Sequence, residues 1–229
     1  MLDQLTTRGR LVAAAMKLAA ECPWREVTLV QVAESAGVSL VDVRRDFANK
    51  GQILAAFVRL VDDAVLARAP RRSGGQPPRD ALFEVVMSRF DVLAAYKPAL
   101  QSIAASFPIE PSLACAIRRS QAWMLRAAGI RADGPEGHIR ALGLGTLYAS
   151  VYRTWLRDDD PGLSKTMAEL DRGLRRGERT LRSVDEVANR LCRFARCCCG
   201  KASGHGPAPQ NASQTAGETP TSPAPGAPI

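Results

Sequence analysis

The side chains best suited to recognising a nucleic acid lie between positions 42 and 50. Arg44 and Arg45 can hold phosphate oxygens or read the edge of a guanine, and Lys50 adds a third cation nearby. Asp42 and Asp46 lie among them. A carboxylate repels phosphate but can accept a hydrogen bond from the amino group of cytosine. This segment is therefore a candidate interface, and the division between phosphate contact and base reading stays open.

Catalytic chemistry has little support elsewhere in the chain. The six cysteines form no pair of CxxC motifs, and only two histidines occur, so no zinc site is predicted. We find no nucleophile elbow, phosphate-binding glycine loop or pair of catalytic carboxylates. The run Asp158 to Asp160 is interpreted as a helix stop followed by a helix start rather than as a metal site. We expect a protein that is not an enzyme and needs no cofactor, with the role of Cys197 to Cys199 left open.

Composition limits the class of protein. The chain has 229 residues and a net charge of +8, which suggests an acidic partner such as DNA, RNA or an anionic surface. Hydrophobic residues make up 46% and aromatic residues only 5%, so the core must consist mainly of Leu, Val, Ile and Ala. No apolar run approaches the roughly 18 residues of a membrane span, and the first residues do not resemble a secretory signal. A cytoplasmic location is expected.

The hydrophobic periodicity is helical throughout. Leu11, Ala15, Leu18 and Cys22 recur at the spacing of one helix face, and similar series start at residues 82, 144 and 184. No convincing strand pattern occurs. We predict an all-α fold of about nine helices, with one domain over 1–68 and a second over 79–199. The tail 200–229 is rich in Pro, Gly, Ser and Thr and is predicted to be disordered.

Local signals place the basic cluster on a helix-turn-helix. Thr28 is a candidate N-cap of one helix, and Gly37 can adopt the left-handed conformation that ends it. Ser39 then caps a second, short helix, whose inward stripe would be Val43 and Phe47. This order of cap, turn and apolar stripe is typical of the motif.

The pattern Thr-x4-Ala-x3-Gly-Val-Ser, followed by Phe47-Ala48-Asn49-Lys50, resembles the DNA-binding domain of the TetR family of bacterial regulators. The similarity covers roughly residues 8–66, with the motif at about 28–47. It implies that the second helix of the motif enters the major groove, and that the hydroxyl of Thr28 and the amine of Lys50 contact phosphate. The residues that it places at double-stranded DNA are Thr28, Ser39, Leu40, Val41, Asp42, Arg44, Arg45 and Lys50.

Two positions depart from the family pattern. Arg44 stands where the family often has tyrosine, and Gly51 stands where it often has glutamate. Glycine near the start of a helix costs about 0.5–1 kcal/mol relative to alanine.

The charge is unevenly divided along the chain. Residues 1–68 carry 9 basic and 8 acidic side chains, against 21 and 14 in residues 69–200. The prediction of DNA binding therefore rests on the motif and not on bulk charge.

The resemblance makes 79–199 the effector and dimerisation domain. Small residues line an apolar helix over 143–150, as a close helix–helix contact requires, and its partner in a homodimer would be 163–174 or 184–199. Packing within one chain would explain the small residues equally well. A two-fold dimer would match a pseudopalindromic DNA site.

A pocket for a small apolar effector is expected in the same domain. Its candidate residues are Met87, Phe90, Trp123, Met124 and Tyr148. The complete prediction is a regulator, and more specifically a repressor, that leaves its operator when the effector binds.

One alternative stays open. Residues 151–172 are similar to part of a lipid-binding accessory family of ubiquinone biosynthesis, which shares the TetR architecture without regulating transcription. In that case a basic run would meet anionic lipid headgroups at a membrane surface. The run consists of Arg172, Arg175, Arg176, Arg179 and Arg182. A solvated helix face explains it more simply.

Overall fold

The structure, a computed structural model, describes residues 5–69, 75–106 and 110–179, and all regular secondary structure within these ranges is helical. The helices are α1 Thr7–Glu21, α2 Leu29–Ala36, α3 Leu40–Asp46, α4 Lys50–Arg68, α5 Pro78–Ala94, α6 Lys97–Ala104, α7 Pro111–Ala127 and α8 Gly134–Leu156. A ninth helix, α9, runs from 164 to 179, where the described part ends. The prediction of an all-α fold is confirmed.

Helices α2 and α3 begin where the sequence predicts, and α2 also ends where it predicts. Thr28 caps α2 through a capping box with Gln31, and Gly37 ends α2 in the left-handed conformation with φ 64°. The hydroxyl of Ser39 accepts from the third residue of the motif's second helix, and the Asn49 side chain caps α4 in the same way. Local hydrogen bonding therefore fixes the start of each of these helices.

The core of α1 to α4 is built on the inward stripe that the sequence predicts. Val43 is 2% exposed and Phe47 is 1% exposed. They belong to the same buried cluster as Leu11 and Val12 of α1 and Val32 of α2. This packing turns the opposite side of α3 outward.

The long helix α4 joins this unit to the remaining helices. It starts directly after the helix-turn-helix and packs against α5 and α7, while α1 packs against α6. In the C-terminal region, Phe90 of α5 stacks on Trp155 of α8, with 5.3 Å between ring centroids. The helix that follows the motif is therefore in direct contact with the helices of the C-terminal region.

Helix-start geometry accounts for the acidic run before α9. Asp158 accepts from the backbone N–H of Thr166 at 2.9 Å and from its hydroxyl at 2.7 Å. Asp160 accepts from the backbone N–H groups of Gly162 and Ser164, both at 3.1 Å. The helix-start interpretation of these carboxylates is confirmed.

No helix within the described ranges combines the length and apolar character that crossing a bilayer requires. Several predictions concern residues outside those ranges. They are the tail 200–229, the cysteine run 197–199, the candidate dimer helix 184–199 and the last arginine of the basic run, Arg182.

Candidate nucleic-acid interface

The outer face of α3 is exposed and combines apolar and cationic side chains. Leu40 is 52% exposed and Val41 is 67% exposed, although both are apolar. Arg44 and Arg45 are exposed on the same short helix. Apolar side chains contact the thymine methyl group, and an arginine fork reads guanine, so this face carries both kinds of base-reading group.

Asp42, one of the two acidic residues of α3, is already engaged. Asp42 accepts a hydrogen bond of 2.7 Å from the hydroxyl of Ser39 and lies 3.4 Å from Nη1 of Arg45. Its backbone N–H donates to the Ser39 oxygen at 3.2 Å. Arg44 has no ion-pair partner among the described residues. The geometry therefore leaves Arg44 as the arginine of α3 with the most freedom to bind a new acceptor.

Thr28 lies at the exposed start of α2, but its hydroxyl has local partners. The Thr28 oxygen accepts from the backbone N–H of Gln31 at 3.2 Å, and its O–H donates to the Gln31 side chain at 3.1 Å. The structure thus places a well-formed helix N-terminus at the surface beside α3. Such a terminus attracts phosphate through its free backbone N–H groups.

Lys50 is half-buried and holds the loop between α1 and α2. Its ammonium donates to the carbonyl oxygens of Trp24 at 2.9 Å, Val27 at 2.6 Å and Arg25 at 3.4 Å. The same Nζ lies 5.0 Å from the Trp24 ring centroid. Burial lowers the pKa of Lys50, and the nearby charge of Glu110 acts against that shift. All three N–H donors are occupied, so a phosphate contact by Lys50, which stays a prediction, requires exchange of a carbonyl partner.

The predicted effector residues divide between the core and the surface. Phe90 is fully buried and stacks on Tyr148, with ring centroids 5.5 Å apart, and Met124 is 2% exposed. Met87 is half-buried. Trp123 is 48% exposed, and the Arg126 guanidinium lies 5.0 Å from the centroid of its ring. The structure therefore does not bring Trp123 into the stack formed by Phe90 and Tyr148.

Two surface clefts lie away from these five residues. A cleft of about 390 Å³ is lined by Ser150, Arg153, Thr154, Arg157 and Lys165. A second, of about 420 Å³, lies between α1 and α6. Neither cleft is lined by any of the predicted effector residues. The effector pocket stays a prediction.

A buried polar network connects four helices and was not predicted. Arg89 of α5 donates through Nη1 to Asp62 of α4 and through Nε to the hydroxyl of Tyr148 at 3.1 Å. Ser120 of α7 donates to the same Asp62 oxygen at 2.6 Å. Burial opposes the charge of Arg89, but Tyr148 and Asp62 together raise its pKa, whereas burial raises that of Tyr148. The sequence signal for this network is the presence of Asp62 and Arg89 within the apolar stripes of α4 and α5.

An exposed apolar strip lies on α8. Ile139 is 65% exposed and Leu142 is 60% exposed, and Met167 on α9 is 37% exposed. A Cβ added at Gly143 would have no neighbour within 4 Å. Within 143–150, Gly143 and Ala149 are exposed whereas Leu144 is buried, so this segment has positions that face outward as well as positions in the core.

The basic run on α9 has acidic partners. Arg172 lies 2.9 Å from Glu169, and Arg175 lies 2.9 Å from Asp171. Pairs at this spacing are typical of a solvated helix surface. The described part of the run therefore favours the simpler interpretation over a surface for lipid headgroups.

Comparison with known proteins gives the fold its context. No protein-family model matches the chain, and no curated protein sequence matches it either. A crystal structure of a TetR transcriptional regulator from Nitrosomonas europaea matches at a TM-score of 0.57 and 24% identity, over 74% of this chain and 96% of that one. A TetR transcriptional regulator from Rhodococcus sp. RHA1 matches at a TM-score of 0.56 and 22% identity, over 73% and 93%. The chain therefore has the fold of the TetR transcriptional regulators.

Proposed function

We propose that the chain is a DNA-binding transcriptional regulator of the TetR type, acting as a homodimeric repressor in the bacterial cytoplasm. The observation that carries the proposal is the outer face of α3. Leu40 and Val41 are large apolar side chains held in solvent by a helix whose other side is buried. Exposing them costs hydrophobic free energy, which contact with base edges in a major groove would recover.

The arginines divide between two roles. Arg44 has no described ion-pair partner and is assigned to base or phosphate contact. Arg45 lies beside Asp42, 73% exposed, in a weak pair that a phosphate can replace. Together with the N-terminus of α2, these groups would hold the backbone on both sides of the groove.

The second molecule of the dimer would pack on α8 and α9. Ile139 and Leu142 supply an exposed apolar strip on α8. A two-fold contact there would present two copies of α3 to successive turns of one DNA face. This arrangement predicts a pseudopalindromic site.

Effector control would use α4. A small apolar molecule that binds among α5, α7 and α8 would contact residues of the core near Phe90 and Tyr148. Because α4 packs against α5 and α7 and begins at the motif, two arrangements of that core would set two positions of α3. The effector would release DNA if it bound the DNA-free arrangement more tightly.

Selection of genomic fragments by the purified full chain tests the proposal. We expect a pseudopalindrome to be enriched by the wild type and not by Leu40→Glu, which places a carboxylate against the bases. Failure of the folded wild type to enrich any sequence would contradict the proposal.

A crossed pair of variants separates DNA contact from dimerisation. Leu142→Glu should convert the dimer to a monomer in light scattering, whereas Leu40→Glu should leave the mass of the dimer unchanged. Both introduce the same charge at a leucine that is more than half exposed, at 60% and 52%. Identical masses for the two variants would exclude the α8 face as the dimer contact.

A further inference from the structure

A space beside Gly51, at the start of α4, is filled by the side chain of Glu110. Gly51 is buried, and a Cβ built on it would lie 2.6 Å from Cβ and 2.7 Å from Cδ of Glu110, with the carboxylate oxygen Oε2 closer still. Contacts of a real Cβ essentially never fall below 3.0 Å. Any side chain at position 51 would therefore displace Glu110. Glycine at this position, a departure from the family pattern, is what admits the glutamate.

The side chain of Glu110 does not cap its own helix. It is the N-cap residue of α7, yet its side chain makes no capping hydrogen bond there. Its carboxylate lies instead at the first turn of α4, where the free N–H groups of a helix start favour negative charge. The same charge acts on Lys50, the first residue of α4. Glu110 thus places a carboxylate from α7 at the base of the helix-turn-helix unit.

A second contact reaches the same place from α6. The hydroxyl of Ser102 accepts from the backbone N–H of Trp24 at 2.9 Å and donates to the carbonyl of Cys22 at 3.2 Å. The loop between α1 and α2 is also the loop that Lys50 holds through Trp24 and Val27. The loop and the start of α4 are therefore held together by Lys50, and α6 and α7 each contribute one further contact.

We propose that Glu110 is a positioning residue that sets the DNA-binding unit relative to the C-terminal helices by occupying the space beside Gly51. Together with Ser102, Glu110 links the end of α6 and the start of α7 to the loop between α1 and α2 and to the first turn of α4. A movement of these ends would then change the orientation of α3. The inference rests on the proposed DNA-binding function, but its structural part is measured without DNA.

Hydrogen–deuterium exchange on the full chain tests the contact between Glu110 and Gly51. The effect of Gly51→Ala on the exchange rate should differ in direction with and without the Glu110 side chain. Gly51→Ala should speed exchange of the amides in the loop between α1 and α2 and in the first turn of α4 by about fivefold, since it expels Glu110. Glycine to alanine within a helix normally acts the other way, because alanine has the higher helix propensity. In a Glu110→Gly background, which also removes the Cβ of residue 110, the same substitution should therefore slow exchange or leave it unchanged.

Gly177→Ala is the matched control, since Gly177 lies in α9 and a Cβ there would meet nothing within 4 Å. It should not speed exchange anywhere in the loop or α4. Equal effects of Gly51→Ala in the wild-type and Glu110→Gly backgrounds would overturn the proposal, and so would the absence of any effect in the wild type.

The DNA measurement tests whether the contact positions the reading unit. On the duplex recovered by selection, Gly51→Ala should lower the ratio of specific to non-specific affinity by about fivefold, and in the Glu110→Gly background it should change that ratio less than about twofold. An unchanged ratio with altered exchange would show that Glu110 stabilises the fold without positioning α3, which overturns the proposal. Recovery of no duplex would contradict the proposed function, while the exchange experiment would still decide whether Glu110 holds this junction.

Discussion

Replacing Arg89 with methionine should destabilise the protein more than any surface charge deletion. The Arg89 side chain is 5% exposed and that of its partner Asp62 is 10% exposed. Methionine retains the apolar stem but leaves the Asp62 carboxylate buried with the Ser120 hydroxyl and no cation. Removing one partner of a buried ion pair costs about 3–5 kcal/mol because the remaining charge is uncompensated. Loss of the hydrogen bond to Tyr148 acts in the same direction.

Urea unfolding at fixed protein concentration, followed by circular dichroism, measures this cost. The control is Arg175→Met, which removes an arginine of an exposed helical pair at 58% and 40% exposure and should cost about 0.5 kcal/mol or less. In the double variant Asp62→Leu with Arg89→Met, most of the lost free energy of unfolding should return, because no unpaired charge remains. A cost for Arg89→Met similar to that of the control would refute the assignment of a buried, mutually dependent pair.

Three further predictions concern the positions of helix starts. Lys50→Met should lower the free energy of unfolding by about 2 kcal/mol in urea, since the carbonyls that it binds lose a charged donor, whereas Lys17→Met on the exposed side of α1 should not. Thr28→Ala should cost about 1 kcal/mol by the same measurement, and Thr28→Ser should recover it, because the capping box needs only the hydroxyl. The hydrogen bond from the Thr166 hydroxyl lowers the pKa of Asp158 below its ordinary value of 3.8, so its stabilisation is complete above that pH and is lost as the pH falls through the folded-state pKa. The difference in stability between wild type and Asp158→Asn should therefore be largest near neutral pH and shrink below about pH 4; a difference independent of pH would contradict the capping role.

The helix-turn-helix could be predicted from the sequence because its determinants are local. The cap at Thr28, the left-handed turn at Gly37 and the buried pair Val43 and Phe47 are each specified within a few residues of one another. The structure reproduces all of them. The bounds of α2 and α3 follow directly from these signals.

The junction at Lys50 could not be predicted in the same way. Its partners Trp24 and Val27 lie more than 20 residues away, and the side chain that fills the space at Gly51 comes from Glu110, about 60 residues further along. Nothing in the local pattern distinguishes a lysine that binds phosphate from one that binds backbone carbonyls. The sequence shows that Gly51 departs from the family pattern, but it does not show that the side chain of Glu110 occupies the space beside it.

The buried network shows a second limit of sequence patterns. Arg89 and Asp62 each interrupt an apolar stripe, and such an interruption predicts a buried partner without identifying it. The partner depends on how α4, α5, α7 and α8 cross, which is a property of the tertiary packing. For the same reason the sequence grouped Trp123 with Phe90 and Tyr148 although the fold leaves Trp123 at the surface.

The ratio of specific to non-specific DNA affinity shows whether the exposed face of α3 reads a DNA sequence. It is measured by gel-shift titration at one fixed salt concentration, on the selected duplex and on a scrambled duplex of the same composition. We expect a preference of at least about 10³-fold for the wild type, reduced at least tenfold by Arg44→Ala and little changed by Arg10→Ala on α1. Equal affinity of the wild type for both duplexes would contradict the claim that the exposed face of α3 reads a DNA sequence.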